Sequence, residues 1–274
     1  MSQGLDLAAY FRRVGYDGPA DVSLETLKAL HLLHPLAIPF ENLDVLLGRP
    51  IPLDPASLWA KLVDAGRGGY CYEQNGLFRA VLEEIGFRTV PLSARVRWNV
   101  PPERQTARTH TAIFVELDGE AWLADVGFGA SVFSAPLRLD TDEPQHTPHG
   151  MFRLTPQGQD LLLELQTPLD ERLPVYRLSL EPQAEADVDL GNWWVSTNPR
   201  SHFTQMLAAT RLLRDGGRIA LRNREFTERD ADGVGHTRVV EVSELPGLLA
   251  SRFDLPFAWS PELEPVFAGL PGPS

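Results

Sequence analysis

Arg67-Gly68-Gly69-Tyr70-Cys71-Tyr72-Glu73-Gln74-Asn75 carries the one cysteine of a 274-residue chain. Beyond it, Leu77, Phe78, Val81, Leu82 and Ile85 share one helical face, with Arg79, Glu83 and Glu84 outside that stripe. Gly86 supplies a left-handed stop. The stripe anchors the helix to a core and places Cys71 in its first turn or just ahead of it. Gly68 and Gly69 let the chain bend sharply and approach closely. A helix N-terminus carries partial positive charge that favours the thiolate, so the pattern predicts an exposed, reactive sulfur in a fixed place. The plainer alternative is a small buried hydrophobe, the usual state of a free cysteine.

A nucleophilic cysteine needs a base, and the base needs an orienting group. Thr111–Leu117 reads as a strand, Asp118-Gly119 as a two-residue hairpin turn, and Glu120–Val126 as the returning strand. If Leu117 pairs with Glu120, stepping outward along both strands places Asp125 opposite Ala112. His110 is two residues from Ala112 and shares its face. His110 and Asp125 then become diagonal neighbours within reach of an imidazole–carboxylate hydrogen bond. A bulge between them would reverse the facing. Spacing alone thus permits a Cys71–His110–Asp125 relay. The bland reading makes His110 a strand cap and Asp125 an Asx turn before Val126-Gly127-Phe128-Gly129.

The first third of the chain reads as helical. A short helix from Asp6 to Val14 ends at Gly15. Ser23 caps a helix carrying Leu24, Leu27, Leu30 and Leu33, and Asp54-Pro55 opens another. From about Phe87 to Leu180 the pattern is strand-rich, with turns at Asp118-Gly119 and Gln157-Gly158. Residues 140–150 read as a polar loop, and Glu181 to Asp189 as an irregular acidic connection. Further strands, a turn at Asp215-Gly216-Gly217 and a helix opened by Ser243 follow. The proline- and glycine-rich tail after Pro256 reads as a surface segment. The pattern divides into helices, then strands, then a mixed region.

A net charge of -12 disfavours a nucleic-acid partner. Only Lys28 and Lys61 are lysines among 25 basic residues, so arginine carries nearly all positive charge. One cysteine gives no intrachain disulfide and no sign of an oxidising compartment. No apolar leader or run of transmembrane length stands out, which makes the cytoplasm the expected location. His146 and His149 lack a partner pattern for a metal, so none is expected.

Several blocks together resemble the arylamine N-acetyltransferase family. The signature Arg-Gly-Gly-x-Cys-x-Glu-x-Asn is complete from Arg67 to Asn75. Ile38-Pro39-Phe40-Glu41-Asn42-Leu43-Asp44 resembles its N-terminal block. Thr109-His110 and Leu123-Ala124-Asp125-Val126-Gly127-Phe128-Gly129 resemble its histidine and aspartate blocks, and Trp194–Pro199 with Ser201-His202-Phe203 a later one.

The resemblance implies an α+β fold with a core like that of cysteine proteases and transglutaminases. It names a helical bundle (1–88), a β-barrel (89–190) and an α/β lid with a tail (191–274), with the site where bundle meets barrel. Cys71, His110 and Asp125 would be catalytic. Phe128 would line the substrate pocket, with Phe40 and Phe203 beside it. Gly127-Phe128-Gly129-Ala130-Ser131 could cradle pyrophosphate, which adds Gly129 to the substrate-binding positions. Arg67 and Glu41 read either as substrate-binding charges or as an ion pair bracing the loop before Cys71. Glu73 and Asn75 read as satisfying backbone groups of the helix start.

The implied activity is acetyl transfer from acetyl-CoA to an arylamine or arylhydrazine through a Cys71 thioester. Acetyl-CoA is then a co-substrate, no retained cofactor is needed, and no membrane partner is expected. The same residue order also suits an amide synthase, or a transglutaminase- or amidase-like enzyme. A non-catalytic module with an inert thiol is the rival from another class.

Overall fold

The computed structural model describes residues 5–129, 131–167, 170–255 and 261–271. Several of its helices begin or end on the capping residues named above. α1 (Leu7–Val14) starts where Asp6 accepts the Ala9 N–H, and ends at Gly15 with φ 75°. α2 (Leu24–Ala37) starts where Ser23 accepts the Thr26 N–H. The residue before a proline avoids helical backbone, so α2 stops before Ile38-Pro39. Phe40–Glu41 then form a two-residue strand, β1. The first third is therefore not purely helical. α3 is Leu43–Leu46. α4 (Pro55–Trp59), capped by Asp54, loosens into a π-helical turn at Ala60–Asp64. α5 (Cys71–Ile85) closes on Gly86 at φ 113°. Its stripe of Leu77, Phe78, Val81 and Leu82 packs with Tyr10, Leu27 and Leu30 of the first two helices and with Ile113 and Val115.

The middle region is one antiparallel sheet of eight strands. They are β2 (Arg88–Val96), β3 (Arg108–Leu117), β4 (Glu120–Ala124), β5 (Leu137–Arg138), β6 (Gln145–Thr147), β7 (Gly150–Gln157), β8 (Asp160–Gln166) and β9 (Arg172–Ser179). Their order is β5-β4-β3-β2-β9-β8-β7-β6. The two edges meet through one side chain. Gln145 accepts the Arg138 N–H at 2.7 Å and donates to the Arg138 carbonyl at 3.0 Å, imitating a peptide group and nearly closing a barrel. The polar loop expected over 140–150 thus contains β6 and the start of β7. The second hairpin turn also lies one residue later than expected, since Gln157 already pairs with Asp160.

The decisive hairpin has the expected register: Leu117 faces Glu120, and the pairing continues to Ile113 facing Ala124. Asp118 at φ 53° and Gly119 at φ 78° give the left-handed turn that matches strand twist. A bulge does occur, but Ala94 pairs with His110 and Arg95 with Arg108, so the extra residue is Thr109. It lies outside the span from His110 to Asp125 and leaves their facing intact.

Glu181 to Asp189 is only partly irregular. Helix α6 (Glu185–Thr197) begins inside it, because Glu185 and Asp187 suit the positive end of a helix. Strands β10 (Ala208–Leu212), β11 (Arg218–Arg222), β12 (Glu225–Arg229) and β13 (Gly235–Val239) join β1 in a second sheet, ordered β1-β10-β11-β12-β13. Asp215 accepts the Gly217 N–H in the expected turn. Ser243 lies in a 3-10 turn leading into α7 (Leu245–Arg252), and α8 (Leu263–Ala268) follows. Leu245, Leu249, Leu263 and Phe267 of these helices pack on Ala209, Ile219 and Leu221 of the sheet. The tail is thus helical over Leu263–Ala268; its residues 256–260 and 272–274 lie outside the described residues. Among the described residues, no helix is long and apolar enough to cross a membrane.

Candidate active site

Cys71 is the first residue of α5, and the loop before it is pinned on both sides. A Cβ on Gly68 would lie 2.2 Å from the Pro39 carbonyl oxygen, so only glycine fits. Glu41 donates its N–H to Gly69, and Gly69 donates its own to Pro39, which lays the loop along β1. The Gln74 amide donates to Pro39 at 2.8 Å and to Gly69 at 3.1 Å. Its oxygen lies 2.7 Å from His34 Nε2, and His34 Nδ1 lies 2.8 Å from the Tyr10 hydroxyl. Burial pulls this histidine down to about 3, so it is neutral: Nε2–H donates to Gln74, and Nδ1 accepts from Tyr10.

Behind the loop sits an ion cluster. Arg67 contacts Glu41 at 2.6 Å, and Lys61 contacts Asp44 at 2.6 Å and Glu73 at 2.7 Å. Burial would raise the Asp44 carboxyl, but Lys61 and Arg67 hold it below its usual range. Burial does raise Glu73, in spite of Lys61. Glu73 also accepts the Tyr70 N–H at 3.1 Å, the backbone role expected of it. Arg67 and Glu41 face one another, the bracing arrangement.

The hairpin brings His110 and Asp125 together, with Nε2 and Oδ2 2.7 Å apart. Both are buried, at 3% and 0% exposure. The Cys71 side chain also acts on the ring, favouring its charged form. Burial alone would lower the His110 pKa, but the Asp125 carboxylate and the Cys71 contact push it up to about 10. Burial would raise Asp125, but His110, Asn75 and the Gly127 N–H hold it below the ordinary carboxylate range. His110 therefore carries a proton at neutral pH.

Cys71 itself is 4% exposed, which corrects the expectation of an exposed thiol. It belongs to a buried cluster with Phe40, Val45, Ile51, Tyr70, Tyr72 and Val195, most of which come from outside its own loop. The plainer reading of a buried cysteine is right about solvent. It does not account for an imidazole and a carboxylate buried in line with the sulfur.

All four pocket candidates gather here. Phe128, half-buried, sets its ring edge-on to His110 with centroids 5.0 Å apart. Phe40 and Phe203 pack together at 5.8 Å, and Phe203 also meets Tyr70. Gly129, at φ 81°, backs on Phe40: a Cβ there would lie 3.4 Å from that ring. The pyrophosphate cradle is weakened, because the Gly127 N–H already donates to Asp125 Oδ1 at 2.9 Å. Its Ala130 lies outside the described residues.

Three residues have larger parts than sequence reasoning assigned. Asn75 does not serve the helix start. Its amide donates to Asp125 Oδ1 at 2.9 Å and to the Thr111 carbonyl at 2.7 Å, and its oxygen accepts the Val126 N–H. Tyr176 packs 5.1 Å from the His110 ring. His31 accepts the Asp125 backbone N–H at 3.0 Å. Completeness of the nine-residue signature was the only sequence signal for Asn75; nothing singled out the other two.

A cysteine at a helix start, a histidine against it and a buried carboxylate behind the histidine form the arrangement shared by thiol acyltransferases and cysteine hydrolases. Comparison with known proteins narrows the class. A family model described as N-acetyltransferase matches residues 23–260. An arylamine N-acetyltransferase of Escherichia coli K12 is 44% identical, over 90% of this chain and 87% of its own. The arylamine N-acetyltransferase structure from Salmonella typhimurium superposes with a TM-score of 0.91 at 38% identity, covering 98% of this chain and 100% of that one. That of the Mycobacterium marinum enzyme in complex with CoA gives 0.91 at 37%, covering 96% and 98%. The chain belongs to the arylamine N-acetyltransferase family, a family of acyltransferases.

Proposed function

We propose that this chain transfers an acetyl group from acetyl-CoA to the nitrogen of arylamines or arylhydrazines in two steps, through a thioester on Cys71. The observation that carries the reading is the grouping of buried Cys71, His110 and Asp125, with His110 Nε2 2.7 Å from Asp125 Oδ2. Family membership supports the donor and acceptor classes, as does a relative whose structure holds CoA.

In the first step the Cys71 sulfur attacks the acetyl carbonyl carbon. A carbon–sulfur bond forms, and the charge on oxygen is met by the Cys71 N–H, which as the first helical residue has no acceptor four residues back. The bond to the CoA sulfur then breaks, and the His110 imidazolium gives that sulfur its proton. In the second step the amine nitrogen attacks the thioester carbon, and neutral His110 takes the amine proton. The bond to Cys71 breaks, restoring thiolate and imidazolium. Asp125 keeps Nε2–H pointed at itself, so Nδ1 faces the sulfur throughout. Acetyl-CoA is consumed as a co-substrate. Phe128, Phe40 and Phe203 offer faces against which an aromatic amine stacks.

The test is to mix protein with acetyl-CoA alone, quench rapidly and weigh it. The expected result is one acetyl group on Cys71, removed by an arylamine with release of the N-acetyl product. Double-reciprocal plots should be parallel. No acetyl on Cys71 together with intersecting lines means direct transfer and overturns the two-step reading. Acylation followed only by hydrolysis would move the protein to the amidase class.

A further inference from the structure

His31 lies directly behind Asp125 and has no task in the two-step reaction. It is fully buried on α2, stacked on Phe133 at 5.3 Å and edge-on to Phe78 at 5.7 Å, so its ring plane is fixed. Its Nε2 accepts the Asp125 N–H at 3.0 Å. A nitrogen that accepts must be bare, so the ring is neutral with its proton on Nδ1. Nδ1 makes no ordinary hydrogen bond among the described residues. Pro35, four residues on, has no N–H to offer the His31 carbonyl. Burial keeps the ring neutral; the charged or titratable groups acting on it are the Asp125 carboxylate and His34.

Strand β4 ends at Ala124, the last residue paired with β3. The Asp125 N–H therefore emerges, buried, just past the sheet ladder. Its carboxylate is held by His110, Asn75 and Gly127, but all of these grip the side chain. Among the described residues, the side chain that takes up the Asp125 backbone N–H is His31.

We propose that His31 is a positioning residue for acyl transfer: its bare Nε2 supplies the acceptor the sheet lacks and holds Asp125 in line with His110. The proposal rests on the reading of Cys71, His110 and Asp125 as the reacting group.

The test compares His31→Leu, which leaves the Asp125 N–H without an acceptor, with His31→Gln, whose amide oxygen can stand near the Nε2 position. Orphaning a buried donor predicts a fall in kcat of about 10- to 100-fold for His31→Leu, with KM for acetyl-CoA unchanged. His31→Gln should recover most of it. Imidazole NMR of the free enzyme should show the His110 titration moved downward in His31→Leu and restored in His31→Gln. The groups facing His110 (Asp125, Cys71 and Tyr176) are unaltered in both variants. If His31→Leu does not fold, His31→Phe takes its place. A folded variant without the acceptor whose His110 titrates as in the wild type overturns the proposal. So does equal loss in the leucine and glutamine variants. Wild-type acetylation of Cys71 is measured alongside: its absence overturns the two-step reading, whereas its presence with an unmoved His110 overturns His31 alone.

Discussion

A single methyl group on Gly127 should separate the nucleophile from the rest of the site. Gly127 passes over the start of α5, and a Cβ there would lie 2.9 Å from the Cys71 Cα, 3.1 Å from the Cys71 carbonyl oxygen and 2.9 Å from the Asn75 amide nitrogen. Carbon–carbon contact is comfortable from about 3.5 Å, so the shortfall is about 0.6 Å. The Asn75 amide cannot swing aside without breaking its bonds to Asp125, Thr111 and Val126. The backbones must part, which widens the gap between Cys71 and the hairpin carrying His110 and Asp125. A displacement on the order of 1 Å can cost about 100-fold, so Gly127→Ala should lower kcat/KM by roughly 10-fold or more.

Overpacking costs about 1–3 kcal/mol, a fall in Tm of roughly 2–12 °C for a chain of this size. Gly119→Ala is the control. It meets nothing within 4 Å but strains a residue at φ 78°, so it should lower Tm without lowering transfer. The assays are acetyl transfer to an arylamine at 25 °C and thermal melting of both variants. Wild-type kcat/KM in folded Gly127→Ala, or activity in both variants falling only in step with Tm, refutes the reasoning.

Asp125→Asn should keep the fold but lose transfer on the order of 10⁴-fold, the size of the effect in a serine protease, because it favours the wrong tautomer; near-normal turnover would rule Asp125 out as the orienting group. Arg67→Ala takes the guanidinium from Glu41, whose side chain is 0% exposed and keeps the Leu43 N–H, and should lower stability by urea unfolding while folded protein stays active. Wild-type melting with no transfer would move Arg67 into the chemistry. Acid stability should be set by His31 and His34, held down to about 4 and about 3. The unfolded chain takes up these protons first, so stability should fall as pH drops below 6.5, by roughly 3–5 kcal/mol for each histidine once pH passes its folded value. A urea midpoint flat from pH 7 to pH 4 would count against both. His110 runs the other way: its contribution is full below pH 6.5 and is lost as pH rises through about 10.

Features governed by short-range rules were legible in the sequence. Asp118-Gly119 dictates its turn, the turn dictates the register, and the period of two then carries His110 and Asp125 to one face. Caps at Asp6, Ser23 and Asp54 and stops at Gly15 and Gly86 are equally local. β1 was not legible, because two residues have no period and their partner, β10, lies far along the chain. Nor was the start of α6, where Glu185 and Asp187 look like loop residues until the helix they favour is formed.

Burial of Cys71 was hidden for a related reason. Its signature is rich in glycine and polar residues, which reads as surface, while the buried cluster it joins includes Phe40 and Val195. His31 and His34 show the limit most plainly. Three residues apart on an apolar helix, they look like ordinary core positions. Yet His31 reaches Asp125, 94 residues away, and His34 reaches Gln74, 40 residues away. One grips the carboxylate's backbone, and the other, through Gln74, grips the loop ahead of the thiol. Helix α2 thus bears on both ends of the Cys71–His110–Asp125 line with neutral imidazoles. Chemistry needs particular residue types at short spacing, and a sequence displays them. Holding those residues in place needs only acceptors and donors at the right points in space, which any part of the chain can supply.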